Sequence, residues 1–250
     1  MDSKIVSFKK GVLRSLVFLI VLLPIFVGSE SRAQNDEMAG VAESLKKAYP
    51  KIRVDEVSKT DMEGIYEMQS EGNIFYYHPK TGTLFLGDLV RDKRSLTEAR
   101  RNSIGSKLVK NLPLEKAVKI GNGRKMVVEF SDPDCPFCRK ADEYLSKRGD
   151  VTVNLFLYPL PNHRDARKKS LQILCSADQA KAYKEVMAGK LDQPFELSAG
   201  CESKNSSTLE QHLAWGQKLG VSGTPAFWIN GERVEGANIP EIERLLSAQK

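Results

Sequence analysis

The sequence predicts a mixed α+β and α/β protein in two parts: a small helix-on-sheet unit, then a larger unit in which strands and helices alternate. Two observations carry this. The pattern changes at Pro113, from one helix and several short strands to alternating elements. Beyond it, Cys135-Pro136-Phe137-Cys138 follows the apolar run Met126 to Phe130 and opens a helix-like stretch, Arg139 to Ser146. That places a dithiol at the carboxyl end of a strand, the usual site position in open α/β sheets.

Residues 1–33 read as an export signal. Lys4, Lys9, Lys10 and Arg14 precede an apolar stretch from Leu16 to Val27, and Ser31 and Ala33 offer a small-x-small cleavage site before Gln34. The stretch is shorter than the roughly 20 residues a spanning helix needs and contains Pro24, which argues against a permanent anchor. The exported protein is then expected outside the reducing cytosol, where disulfides persist. Removing the segment lowers the formal charge from +6 to +3. The remaining charges are of mixed sign, so no nucleic-acid partner is expected.

Met38, Val41, Ala42, Leu45, Ala48 and Tyr49 lie at helical spacing between Asp36 and Pro50. Strands are predicted at Ile52–Val57, Gly64–Met68, Asn73–His78 and Thr83–Val90, separated by Glu71-Gly72 and Lys80-Thr81-Gly82. A helix on so small a sheet has little core of its own, and a partner subunit sharing the sheet edge would help. Ser95-Leu96-Thr97-Glu98 reads as a capping box opening a connecting helix, broken near Gly105 and ended at Pro113. The parts are therefore 1–33, 34–94, 95–113 and 114–250.

In the last part, strands are predicted at Glu115–Ile120 and Lys125–Phe130, then the Cys135 helix, then a strand at Val151–Tyr158. Helical blocks follow at Asp165–Gly189 and Leu209–Leu219. A strand at Ala226–Ile229, an Asn230-Gly231 hairpin signal, a short strand at Arg233–Glu235 and a helix from Pro240 close the chain.

Two cysteines spaced by two residues at a helix N-terminus can close a small disulfide ring, and the free amides there favour thiolate at the first sulfur. Cys-x-x-Cys is also half of a zinc site. Cys175 and Cys201 are too far apart to form a second short-spaced pair, and His78, His163 and His212 are scattered, so the context favours redox chemistry, with no metal or cofactor.

Glu129-Phe130-Ser131-Asp132-Pro133-Asp134-Cys135-Pro136-Phe137-Cys138, together with Gly220-Val221-Ser222-Gly223-Thr224-Pro225-Ala226, resembles the thioredoxin-fold domain of the periplasmic disulfide isomerases DsbC and DsbG. The resemblance implies a small cystatin-like N-terminal dimerisation domain, a linker helix and a C-terminal thioredoxin fold with a helical insertion. It implies that Thr224-Pro225 is a cis pair whose loop lies against the dithiol, whereas the sequence alone allows an ordinary turn. It implies a structural disulfide between Cys175 and Cys201 in the insertion, against the alternative of two buried free thiols. Closing a loop of roughly 26 residues, that bond would contribute about 3 to 4 kcal/mol on the chain-entropy model.

On the same resemblance, Cys135 is the solvent-facing attacking thiolate and Cys138 the inward resolving thiol. The substrates are misfolded or oxidised exported proteins, and the electron donor is a membrane protein of the DsbD type. Asp132 and Asp134 disfavour the thiolate, Arg139 partly offsets them, and both acids also suit a turn before the helix. Glu129 departs from the pattern. Thioredoxin and the oxidant DsbA carry a buried acid there, whereas DsbC and DsbG carry an apolar residue. Glu129 either relays the Cys138 proton or, by alternation with Val128 and Phe130, points away. Phe137 is expected at the surface and at least one of Phe227 and Trp228 inside. The competing readings are a dimeric isomerase, a dedicated thiol reductase, and a noncatalytic chaperone or metal-binding module.

Overall fold

The computed structural model describes residues 29–248. The charged and apolar stretches of the expected export signal lie outside the described residues, and the expected cleavage site falls in the first turns of α1 (Ser29–Ala48). Lys46 and Lys47 in its last turn suit the negative end of the helix dipole. Val41 and Leu45, one turn apart, bury against Met68, Phe75 and Tyr77 of an antiparallel sheet.

That sheet has the order β1 (Glu56–Lys59), β2 (Tyr66–Ser70), β3 (Asn73–His78), β4 (Thr83–Phe85). Glu71 and Gly72 both take positive φ, 49° and 78°, the geometry of a tight hairpin between β2 and β3. A Cβ on Gly72 would stand 2.2 Å from the Gln217 carbonyl oxygen, so this turn abuts the second unit through bare backbone. The strand expected to run to Val90 stops at Phe85, and a separate small hairpin follows, β5 (Val90–Arg91) and β6 (Arg94–Ser95). Phe85, Leu86 and Val90 are exposed.

Ser95 caps α2 (Leu96–Leu108), its hydroxyl accepting from the Glu98 amide as the capping-box spacing predicts. The expected break at Gly105 does not occur. Gly105 instead lets the helix lie close to Trp228, whose Nε1 would be 3.0 Å from an added Cβ.

The second unit is a five-stranded mixed sheet. Its order is β11 (Glu232–Glu235), β10 (Ala226–Ile229), β8 (Lys125–Ser131), β9 (Val151–Leu157), β7 (Val118–Gly121). Only β8 and β9 run parallel, joined by the crossover helix α3 (Pro136–Ser146). Val127, Leu155, Phe227 and Ile229 belong to a core that includes Cys138, Ala141 and Leu145 of α3 and Ile242 and Leu245 of α7 (Ile239–Ser247). Phe130, Phe156 and Trp228 form a second core with Leu112, Leu219 and Val221.

The block expected at Asp165–Gly189 divides into α4 (Ala166–Cys175) and α5 (Gln179–Met187), because Asp178 starts a new helix by accepting from the Lys181 amide. The block expected from Leu209 begins eight residues earlier, as α6 (Cys201–Lys218). No helix among the described residues is long and apolar enough to cross a membrane.

Candidate active site

Cys135 is the N-cap of α3 and Pro136 its first residue, where a missing amide proton has no helical partner to lose. Cys138, Ala141 and Leu145 follow at helical spacing on the buried face, so the second sulfur enters the core by the same periodicity that packs the helix. Both cysteines are free thiols. Cys138 is fully buried and accepts from the Asp132 amide at 3.4 Å. Cys135 was expected to face solvent, yet it is only 4 % exposed. When protonated its sulfur donates to the Thr224 carbonyl oxygen at 3.3 Å, so the loop before β10 covers it. The Thr224–Pro225 peptide is cis, and the Thr224 hydroxyl oxygen is buried without a hydrogen-bond partner.

The two sulfurs are electrostatically unequal. Hydrogen bonding from the Cys138 thiol lowers the Cys135 pKa to about 5, against the opposing effect of burial and with help from the Cys138 and Phe137 amides. Cys138 is pushed upward, first by burial, then by its role as donor to Cys135 and by the nearby Glu129 carboxylate. At neutral pH the arrangement therefore holds one thiolate and one thiol.

Glu129 lies beneath the dithiol and is 2 % exposed, which excludes the outward orientation. Burial, with the negative charge of Asp142 second, raises its pKa to about 8, while Ser131 pulls the other way. Asp132 is fully buried and committed to the turn, accepting from the Asp134 amide at 2.7 Å, the Leu160 amide at 2.7 Å and His163 Nδ1 at 2.8 Å. Asp134 is paired with Lys169 at 2.5 Å, and Arg139 forms a bidentate pair with Asp192 at 2.7 and 2.6 Å. Arg139 thus serves Asp192 rather than the acids before the dithiol.

Sequence reasoning missed Lys169. It is 3 % exposed and bridges Asp134 to Asp192, tying the residue before Cys135 to α4 and to the loop after α5. The available signal was its helical register with Ala166 and Ile173, a buried face on which a lysine needs a partner. Phe137 is 61 % exposed, while Phe227 and Trp228 are both buried. Cys175, closing α4, and Cys201, opening α6, are joined in a disulfide. His212 is held in the core, accepting from the Leu157 amide at 3.0 Å and meeting the Lys116 carbonyl at 2.9 Å. Among the described residues no group of three or more His, Cys, Asp or Glu could hold a metal ion.

Residues 112–250 match the family model of a thioredoxin-like domain, and residues 30–98 match the model of a disulfide bond isomerase protein N-terminal domain. A protein of Bordetella parapertussis named as a probable thiol:disulfide interchange protein DsbC is 31 % identical over 212 residues, covering 83 % of this chain and 73 % of that protein. The chain belongs to the DsbC family. It is an enzyme of thiol–disulfide interchange. The DsbC of Escherichia coli K12 is 33 % identical over 148 residues, 56 % of this chain and 59 % of that protein. Among solved structures, a disulfide interchange protein from Neisseria gonorrhoeae shares 31 % identity, covering 54 % of this chain and 96 % of that one with a TM-score of 0.45.

Proposed function

We propose that this DsbC-family enzyme is a periplasmic disulfide isomerase, exported by residues 1–33, that rearranges wrong disulfides in exported proteins through Cys135. The observation that carries this is the asymmetry of the dithiol: Cys135 lowered to about 5 and Cys138 raised. The Cys135 thiolate attacks a substrate disulfide and forms a mixed disulfide. A second substrate thiol then displaces it, completing isomerisation, or Cys138 does, completing reduction. Thr224 and Pro225 cover the nucleophile and present backbone beside it, and exposed Phe137 offers an apolar contact to unfolded chain. The Cys175–Cys201 bond is structural, bracing the inserted helices.

Residues 34–94 are proposed as the dimerisation domain, 95–113 as the linker and 114–250 as the catalytic domain. Exposed Phe85, Leu86 and Val90 beside the β4 edge supply an apolar surface for a second copy. Leu86→Asp is expected to shift the protein toward monomer in sedimentation. A membrane thiol donor of the DsbD type would keep the dithiol reduced.

A dedicated reductase is the second reading, favoured by Glu129: a buried carboxyl with a pKa near 8 is placed to accept the Cys138 proton, and only reduction needs Cys138 to finish. The deciding experiment is refolding of a scrambled multi-disulfide protein, in weakly reducing buffer, by the protein lacking residues 1–33 and by its Cys138→Ala form. Recovery by both supports isomerisation through Cys135 alone. No recovery, with rapid reduction of a simple disulfide, supports the reductase.

A further inference from the structure

Glu129 presents an anomaly that its place beneath the dithiol does not resolve. Its Oε1 atom is buried and has no hydrogen-bond partner. It lines a cavity of about 50 Å³ whose wall also includes Asp142, Ser146, Arg148 and Lys184. A single water needs roughly 10–15 Å³ and two or more polar partners, so the cavity has room and chemistry for water. Asp142, Ser146 and Lys184 also line an open groove on the outer side of α3 and α5. These three residues thus form the partition between the buried carboxyl and solvent. Asp142 is the carboxylate in that partition, half-buried on α3, and Lys184 stands exposed on α5 at its outer side.

We propose that Asp142 is the outlet through which Glu129 exchanges its proton with solvent during resolution by Cys138. This rests on the reading of Glu129 as the acceptor of the Cys138 proton. In the mixed disulfide, the Cys138 S–H proton passes to the Glu129 carboxylate, and the Cys138 sulfur attacks the Cys135 sulfur. The Cys135–Cys138 bond forms, the bond from Cys135 to the substrate sulfur breaks, and the substrate leaves as thiolate. The dithiol is oxidised and the substrate sulfur reduced. With a pKa near 8, Glu129 is mostly a buried acid at neutral pH, so it must give a proton to solvent before each resolution as well as after it. The groups facing it are Cys138 and Asp142 on α3, Tyr183 and Lys184 on α5, Ser131 on its own strand and Arg148 after α3. Tyr183 is engaged with Ser131 at 2.9 Å, and its hydroxyl is pushed far above its ordinary pKa by burial, so it does not carry the proton onward at neutral pH. Asp142 faces the cavity and solvent together, and burial lifts its pKa to about 6, between that of Glu129 and an ordinary surface carboxyl.

The test uses a symmetrical aromatic disulfide that releases a coloured thiolate. The first release reports attack by Cys135 and the second reports resolution by Cys138. Asp142→Ala is expected to slow the second release at neutral pH by about tenfold, leave the first within about twofold, and recover when formate is added, because formate fits the space vacated. Asp142→Asn keeps the shape without a titratable group and is expected to be slow without recovery, and it stands in if the alanine form does not fold. A second release within about twofold of wild type in either variant, or an alanine form that formate does not restore, overturns the outlet. Glu129→Gln, measured beside them, separates the two ideas. If it is slow while Asp142→Ala is not, the outlet alone fails, and if it is not slow, the relay itself fails and the outlet with it.

Discussion

Replacing Glu129 by Gln should stabilise the protein, and by an amount that grows with pH. The carboxyl's ordinary pKa is 4.5, and in the folded protein burial beside Asp142 raises it to about 8. Below about pH 4 both folded and unfolded forms hold the proton, and the ionisation makes no difference. As pH rises through 4.5 the unfolded chain ionises while the native Glu129 does not, so the native state binds more protons and loses stability steadily. The loss stops near pH 8, where Glu129 ionises in place. At about 1.4 kcal/mol for each tenfold change in proton affinity, the penalty reaches about 3 kcal/mol at pH 7 and about 5 kcal/mol above pH 8. The amide cannot ionise, so Glu129→Gln removes the penalty while leaving the shape of the site intact. Denaturant unfolding of both reduced proteins, followed by circular dichroism from about pH 4 to 9, should give curves that diverge from about pH 5 and run parallel above about pH 8. Curves that stay parallel throughout would show that the carboxyl is solvated in the native protein and is not poised near neutrality.

Three further outcomes follow from the same site. Alkylation of Cys135 in the reduced protein should be nearly independent of pH above about pH 6 and fall as pH drops through about 5. Lys169→Met leaves Asp134 and Asp192 facing each other without the buried ammonium, and a loss of about 3 kcal/mol in denaturant unfolding is expected, with Asp134→Asn restoring part of it in the double variant. Replacing Cys175 and Cys201 together by Ala should lower stability by about 3 to 4 kcal/mol while leaving the reactivity of Cys135 within about twofold.

The parts of the site that sequence makes legible are those built from neighbours in the chain. Cys135 and Cys138 are three residues apart on one helix, so their inequality follows from helical geometry. The hairpin at Asn230-Gly231 announces itself because both residues tolerate positive φ. The Asp92-Lys93 turn is silent, since Lys93 takes φ 62° without a residue type that advertises it. The first two turns of α6 are hidden for another reason. Ser203, Asn205, Ser206, Ser207 and Thr208 suit turns and caps as well as helices, and here Ser206 satisfies its hydroxyl on the Glu202 carbonyl at 2.6 Å. The Asp134–Lys169–Asp192 bridge joins three distant positions and exists only once α3, α4 and the loop after α5 are assembled. Asp142 looks like any solvated acid on an amphipathic helix. Its significance depends on the cavity behind it, which is a property of how β8, α3 and α5 pack.

The disulfide between Cys175 and Cys201 makes the chain between them a closed ring hung from the catalytic unit. Inside that ring lie α5 and the irregular, largely exposed stretch from residue 188 to residue 200. A protease that cuts there opens the ring without releasing a fragment, because the two new ends stay joined through sulfur. The nicked molecule should migrate as one species until a reductant is added, then separate into two. Cys201 is fully buried, so the pair that keeps the pieces together is shielded from the exchange chemistry the enzyme performs on others.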